Sequence, residues 1–321
     1  MKSVANILVH ESQFPENIRR DLLKSLRSRK INHKFHYDSV KQTQKWLSLH
    51  QIYSPSRNDE NVRSIYEQSF EGVTKKIKSK NIHVIGLGCG GGQKDTRLLK
   101  LLKTRGKEIF YSPCDVSAAM VLTARKTALS VLPEKNCFPL VCDLATASNL
   151  QFSNRRSRIV TFFGMIPNFE PQEILPKLAT LVHPNDFLLF SANLAPGNSY
   201  AAGMVKILPQ YDNPQTRDWL MTFLLDLGIE KRDGEMKFEI AIGGFGLKRF
   251  VANFQFKRAR QIEVENEIFK FKAGEKIRLF FSCRYTPKLV QKVLSKYKLK
   301  ICEQWISSSQ EEDVFFCRKS A

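Results

Sequence analysis

His83-Val-Ile-Gly86-Leu-Gly88-Cys-Gly90-Gly91-Gly92 decides how this chain is read. A short apolar run ends in glycines and passes into a segment with helical spacing of leucines. That pattern predicts a buried parallel strand turning into a helix. Glycine supplies positive φ at such a turn and lets the backbone approach a ligand closely. The helix start behind it offers unpaired N–H groups to a polar ligand. Gly86, Gly88 and Gly91 also satisfy the spacing GxGxxG. Taken alone, the loop fits a dinucleotide, another nucleotide-type cofactor or a purely structural turn.

Outward from the loop, downstream, the rhythm continues. A helix is expected over 93–105, a strand over 108–112, a helix over 117–131 and a strand over 139–143. Further strands at 158–164 and 186–191 flank a helix at 170–182. Such alternation predicts a doubly wound α/β sheet. Upstream, apolar spacing predicts helices over 14–30 and 39–50 and another leading up to Asn81. An extended His-Lys-Phe-His-Tyr-Asp-Ser stretch is expected between the first two. After Asn193 come a helix at 214–228 and β-rich runs at 236–242, 248–256, 261–271 and 277–282. A helix at 286–297 and strands at 300–306 and 313–318 close the chain. The expected layout is a helical region at 1–80, a Rossmann-like domain from 81–194 plus 283–321, and an inserted α+β substrate domain at 195–282.

Two acids strengthen the reading of the loop. Asp115 ends the second strand of the alternating series, where a carboxylate accepts hydrogen bonds from ribose hydroxyls or caps the next helix. Asp143 ends the third strand, where an adenine amino group is often read. Together with Gly86, Gly88 and Gly90 they converge on the carboxyl edge, where such sheets bind ligands.

Composition narrows the classes. The 321 residues carry 51 Lys+Arg against 31 Asp+Glu, a formal net charge of +20. Clusters at 27–34, 75–80 and 155–158 would suit a nucleic acid, but no aromatic-and-basic RNA-binding signature accompanies them, and that partner is not favoured. Seven cysteines without a CxxC pair support neither zinc nor a disulfide framework, so no metal is expected. A reducing cytoplasm is the simplest setting. No apolar stretch is long enough to span a bilayer, and a monomer is the expected state.

Six motifs in order carry a family resemblance. They are Phe35-His-Tyr37-Asp38, Tyr53-Ser-Pro-Ser-Arg57, Leu87-Gly-Cys-Gly90 with Lys94, and Tyr111-Ser-Pro-Cys-Asp115-Val-Ser. Gly164-Met-Ile-Pro-Asn168 with Gln210-Tyr211-Asp212-Asn213, and Gly274-Glu-Lys-Ile through Phe280-Phe-Ser282-Cys-Arg-Tyr285, complete the set. From Lys34 onward the chain resembles the S-adenosylmethionine (SAM)-dependent histidine Nα-methyltransferase family of ergothioneine biosynthesis and its dimethylallyltryptophan N-methyltransferase relatives. The resemblance implies a Rossmann-like SAM methyltransferase sheet that uses SAM, releases S-adenosylhomocysteine and acts on a small amino-acid-like substrate. By the same resemblance, Gly86, Gly88, Gly90, Lys94, Asp115 and Asp143 would hold the cofactor. Asn168 and Tyr211 would hold the α-carboxylate end of the substrate. Tyr37 and Tyr53 would line the catalytic region near the amine and the sulfonium.

The departures concern the substrate. Where histidine-specific members carry an imidazole-binding Glu, this chain has Phe280, which cannot accept a hydrogen bond. A family Met aligns with Ala252, and Ser282 is retained. The resemblance therefore implies a larger or more apolar amino acid than histidine. A macromolecular substrate such as RNA, and a non-catalytic SAM-binding member, are the alternatives.

Overall fold

The computed structural model describes residues 5–54, 58–153 and 155–320. Residues 55–57 of the Tyr53–Arg57 motif lie outside the described residues. A two-residue strand, β1 (Leu8–Val9), leads into α1 (Pro15–Ser28), α2 (Val40–Tyr53) and α3 (Glu60–Lys76). Each helix begins on a residue suited to its start. Pro15 occupies the first turn of α1, the Ser39 side chain accepts from the Gln42 N–H, and Asp59 accepts from the N–H groups of Asn61 and Val62.

The predicted alternation then follows: β2 (Asn81–Leu87), α4 (Gln93–Thr104), β3 (Glu108–Asp115), α5 (Ala118–Ala128) and β4 (Leu140–Val141). It continues with β5 (Ser157–Phe162), α6 (Pro171–Leu181) and β6 (Phe187–Asn193). Two helices come next, α7 (Tyr200–Ile207) and α8 (Pro214–Asp226). Five strands follow: β7 (Gly234–Ile242), β8 (Lys248–Phe256), β9 (Arg260–Val264), β10 (Glu267–Phe271) and β11 (Lys276–Arg284). The chain ends on α9 (Pro287–Ser295), β12 (Leu299–Ile306) and β13 (Glu312–Lys319).

The main sheet has the order β1-β4-β3-β2-β5-β6-β13-β12. Its strands run parallel except β13, which pairs antiparallel with both β6 and β12. The C-terminal hairpin thus completes the sheet as expected. Strand order reverses between β2 and β5, so the turns after these strands open a crevice at the carboxyl edge. Burial on both faces explains the near-continuous apolar runs of β2 and β6.

A second sheet, β11-β8-β7, is antiparallel. One face, through Val251, Phe281 and Cys283, joins the core on one side of the main sheet. Its other face, through Ala252, Phe254 and Phe280, packs with α1, α8 and the β9–β10 hairpin. The sheet therefore bridges the nucleotide-type sheet and the N-terminal helices.

Four details differ from the sequence reading. The stretch expected to be extended contains a 3-10 helix, His33–His36, because the Asn32 side chain accepts from the Lys34 N–H and tightens the turn. The run at 261–271 is two strands folded on Glu265 and Asn266, both at positive φ, as a two-residue hairpin turn requires. The third strand of the series shrinks to two residues. Finally, α7 and β1 were not anticipated.

Candidate active site

All the strand ends singled out in the sequence meet at one cavity of about 960 Å³ beside the carboxyl edge. Most of its wall comes from the turns after β2, β3, β4 and β5, from the second sheet and from the N-terminal elements.

The glycine loop is held from behind. Cys89 N–H donates to Cys114 O at 3.0 Å, and Gly90 N–H donates to the Asp115 carboxylate at 3.0 Å. Gly88 has φ of +65°, and a Cβ there would come within 2.3 Å of the Met165 sulfur. Gly92 caps α4 at φ +74°, and a Cβ there would come within 2.8 Å of the Ala124 Cα in α5. Bare backbone at Gly88 and Gly90 therefore faces the cavity, as a cradle for a polar ligand demands. Gly86 lies one step back in β2, outside the lining, and a Cβ there would strike Asp95.

Asp115 accepts from Gly90 N–H with one oxygen and from Ser117 N–H with the other, both at 3.0 Å. Ser117, not Asp115, caps α5 by accepting from Met120 N–H. Burial pushes the Asp115 carboxyl above its usual range, opposed by the backbone N–H bonds. A carboxylate with about four acceptor sites and two used keeps capacity for a ligand's hydroxyl groups. Asp143 is more committed. It accepts from Ala145 N–H at 2.9 Å and Thr146 Oγ1 at 3.0 Å, and Lys34 Nζ stands 3.6 Å away.

Lys94 reaches from the first turns of α4 to the cavity floor. Its ammonium donates to the Tyr66 hydroxyl at 2.8 Å and lies 3.7 Å from Glu312. Tyr66 in turn contacts Glu312 and Ser191. Burial lowers the Lys94 ammonium, while Glu312 pulls it back up.

On the opposite side, Tyr211 and Ser282 share a hydrogen bond of 2.9 Å. Asn168 sits in a 3-10 turn after β5, half-buried on the wall, with its side-chain amide unpaired among the described residues. Tyr37 packs against Trp46 and Trp219, with ring centroids 5.8 and 5.5 Å away. Burial raises the Tyr37 phenol well above its usual range, helped by the Asp115 charge and Tyr211, so the phenol stays protonated. Tyr53 lines the cavity from the end of α2 and donates to Gln215 at 3.1 Å.

Phe280 lines the cavity within a cluster of rings: His33 stacked at 4.9 Å, Trp219 edge-on at 5.7 Å and Tyr211 at 6.4 Å. Ala252 pairs with Phe280 across the strands, fully buried and outside the lining. The space a small residue leaves there lies behind the Phe280 wall, not in the cavity.

Sequence reasoning missed several wall residues, among them His33, Trp46, Trp219 and Arg278. Only the histidines carried a local signal: His33 and His36 sit three apart, on one face of a tight turn.

This set suits a cofactor with a nucleoside end: bare glycine backbone, a buried carboxylate with spare acceptor capacity beside it, and ample volume. Comparison with known families agrees. The family described as "Histidine-specific methyltransferase, SAM-dependent" matches residues 18–215 and 246–319.

The chain belongs to the SAM-dependent histidine-specific methyltransferase family.

It is a SAM-dependent methyltransferase. No protein of curated function matches the sequence. Among solved structures, the CMeT domain of a citrinin polyketide synthase is similar at 12% identity and a TM-score of 0.50, over 88% of this chain and 57% of that one. That likeness shows the fold of the methyltransferase. Magnesium protoporphyrin IX methyltransferase from Synechocystis PCC 6803, solved with bound SAH, gives 13% identity and a TM-score of 0.49 over 90% of this chain and 97% of that chain. A SAM-dependent methyltransferase from Clostridium acetobutylicum ATCC 824 gives 12% and 0.47 over 86% and 99%. Among the described residues, no group of side chains could hold a metal ion, and no helix of the methyltransferase is long and apolar enough to cross a membrane.

Proposed function

We propose that this methyltransferase methylates the α-amine of an amino acid, or of a small molecule derived from one, and that histidine is not its preferred substrate. The observation that carries the substrate reading is Phe280. It meets the cavity among aromatic rings and offers no acceptor for an imidazole N–H.

When bound, SAM supplies an activated methyl group. Gly88, Gly90 and Asp115 would hold it, with Lys94 at the cavity floor. The rest falls to positioning by this chain's own residues. Asn168 offers an unpaired amide, and the Tyr211–Ser282 pair offers hydroxyls, to a substrate carboxylate. The α-amine has a pKa near about 8, so its neutral form is available without a strong base. A protonated Tyr37 phenol can accept from the amine N–H and aim the lone pair. Trp46, Trp219 and Phe280 exclude water.

The test is methyl-labelled SAM with a panel of twenty amino acids and total RNA, read by mass spectrometry. Labelled N-methyl amino acids, with aromatic or other large members ahead of histidine, are expected. Label confined to RNA, or to histidine, would overturn the reading.

A further inference from the structure

Among the cations of the cavity wall, Arg278 stands out because its guanidinium has no hydrogen-bonded or ion-paired partner among the described residues. Lys34 is held by Asp21 at 2.6 Å, Lys94 by Tyr66, Arg97 by Glu67 at 3.0 Å, and Arg284 by the carbonyl of Leu194 at 3.1 Å. Lys30 is exposed at the rim. Arg278 is half-buried, and its guanidinium makes no hydrogen bond or ion pair among the described residues.

Its position is rigidly set. Residues 29–31 clamp β11 at this point: Arg278 N–H donates to Arg29 O at 2.9 Å, and Ile31 N–H donates to Arg278 O at 2.8 Å. The side chain lies over the Phe281 ring, 5.0 Å from its centroid. Arg249 lies over the same ring at 5.1 Å and is already neutralised by Glu170. Its Nε–H is buried without an acceptor. Glu173, also near Arg278, is exposed and beyond ion-pair distance. Glu170 also acts on Arg278 from beyond ion-pair distance, so of the two guanidiniums only Arg249 has a paired carboxylate. His33, edge-on to Phe281 at 4.6 Å and stacked on Phe280, joins this cluster to the aromatic wall.

A half-buried guanidinium with no carboxylate in ion-pair or hydrogen-bond contact is costly unless a ligand supplies one. Its planar fork matches a carboxylate, sulfonate or phosphate. We propose that Arg278 reads an oxyanion on the substrate's side chain, so the preferred substrate is an amino acid whose side chain ends in an acidic group beyond an apolar stem. This rests on the amino-acid reading above and refines it.

The test compares matched pairs on the full-length enzyme: glutamate with glutamine, O-phosphoserine with serine, and O-phosphotyrosine with tyrosine. Methyl transfer from labelled SAM is measured. Binding is followed separately by the fluorescence of Trp46 and Trp219 with S-adenosylhomocysteine present. At least one acidic member is expected to exceed its neutral partner tenfold or more in kcat/KM, and the comparison across pairs tells carboxylate from phosphate. Arg278→Gln should abolish that preference and Arg278→Lys should keep part of it. Thermal unfolding and S-adenosylhomocysteine affinity of both variants should match the parent, which separates loss of recognition from loss of fold. Neutral members methylated as well as acidic ones would overturn the inference and leave the amino-acid reading standing. Equal weakening of acidic and neutral members in Arg278→Gln would assign Arg278 to the α-carboxylate and also overturn it. If no amino acid is methylated, the amino-acid reading falls. The fluorescence arm then decides the oxyanion subsite: Arg278-dependent binding of the charged members supports it, and its absence refutes it.

Discussion

Single residues divide the labour of the cavity, and two can be tested directly. Asp115 ties the glycine loop to the end of β3 through Gly90 N–H and Ser117 N–H. Asp115→Asn retains one acceptor oxygen and loses the charge. Hydrogen bonds to a charged group are worth about 1.5–3 kcal/mol, so S-adenosylhomocysteine affinity should fall roughly 10- to 100-fold by titration calorimetry. Unchanged affinity would reduce Asp115 to a brace of the loop. Phe280 tests the substrate end. Phe280→Glu places a carboxylate among rings and should cost about 2–4 kcal/mol in denaturant unfolding. In return, the ratio of kcat/KM for histidine over large amino acids should rise at least tenfold. A fall in stability with no such gain would mean that Phe280 does not set the substrate.

At the scale of elements, the second sheet is shaped by a bulge. Arg278 pairs with Asn253 and Phe280 with Ala252, so Leu279 is an extra residue in β11. The free edge of β11 is covered by the His33–His36 turn. His36 Nε2 lies 2.7 Å from Leu279 O and must donate to it, while Phe281 N–H donates to His33 Nε2 at 3.2 Å. Accepting at Nε2 sets His33 to its neutral Nδ1–H tautomer, whereas the Leu279 carbonyl only places a proton on His36 Nε2 and by itself favours the charged ring. Burial lowers His33 well below its usual value, aided by His36 and Arg278, and lowers His36 to about 4. An unfolded chain protonates His36 near 6.5, so between these values the unfolded state binds more protons. The His36 contribution to stability is therefore complete above about pH 6.5, falls as the pH drops toward about 4, and levels off below. A shift of this size corresponds to about 3 kcal/mol. His36→Gln keeps a donor for Leu279 O and removes the titration. Its stability should lose about that much less between pH 7 and pH 4 in urea unfolding. An unchanged pH profile would place the acid sensitivity elsewhere.

Across the whole molecule, a buried ionic chain joins the N-terminal helices to the nucleotide-type sheet. Lys34 sits between Asp21 of α1, at 2.6 Å, and Asp143 after β4, at 3.6 Å, and all three are buried. The N-terminal elements also supply Tyr37, Trp46 and Tyr53 to the cavity, so this chain couples the substrate wall to the cofactor edge. Lys34→Met leaves two buried carboxylates without their cation, a change worth about 3–5 kcal/mol. A loss of that order in unfolding is expected, with faster amide exchange in α1 and α2. If exchange rises only in residues 33–36, the coupling is local.

Periodicity and turn chemistry by themselves determined most of the main sheet. Gly88, Gly90 and Gly92 at positive φ, Asp115 at a strand end and the apolar runs of β2 and β6 are all local consequences of residue type. The cofactor edge was legible because a doubly wound sheet places successive strand ends together. The substrate wall was not. His33, Trp46, Trp219 and Arg278 come from a short turn, two helices and a bulged strand far apart in sequence, and no spacing rule relates them. Ala252 shows the same limit: its size was visible, but that the neighbouring strand β11, and no residue of β8, supplies the cavity wall was decided by strand pairing. Tertiary packing alone decided that Phe280 would meet the cavity, that two histidines would cover the edge of β11, and that Arg278 would stand unpaired. Each depends on which backbone and side-chain groups of distant segments are buried against one another.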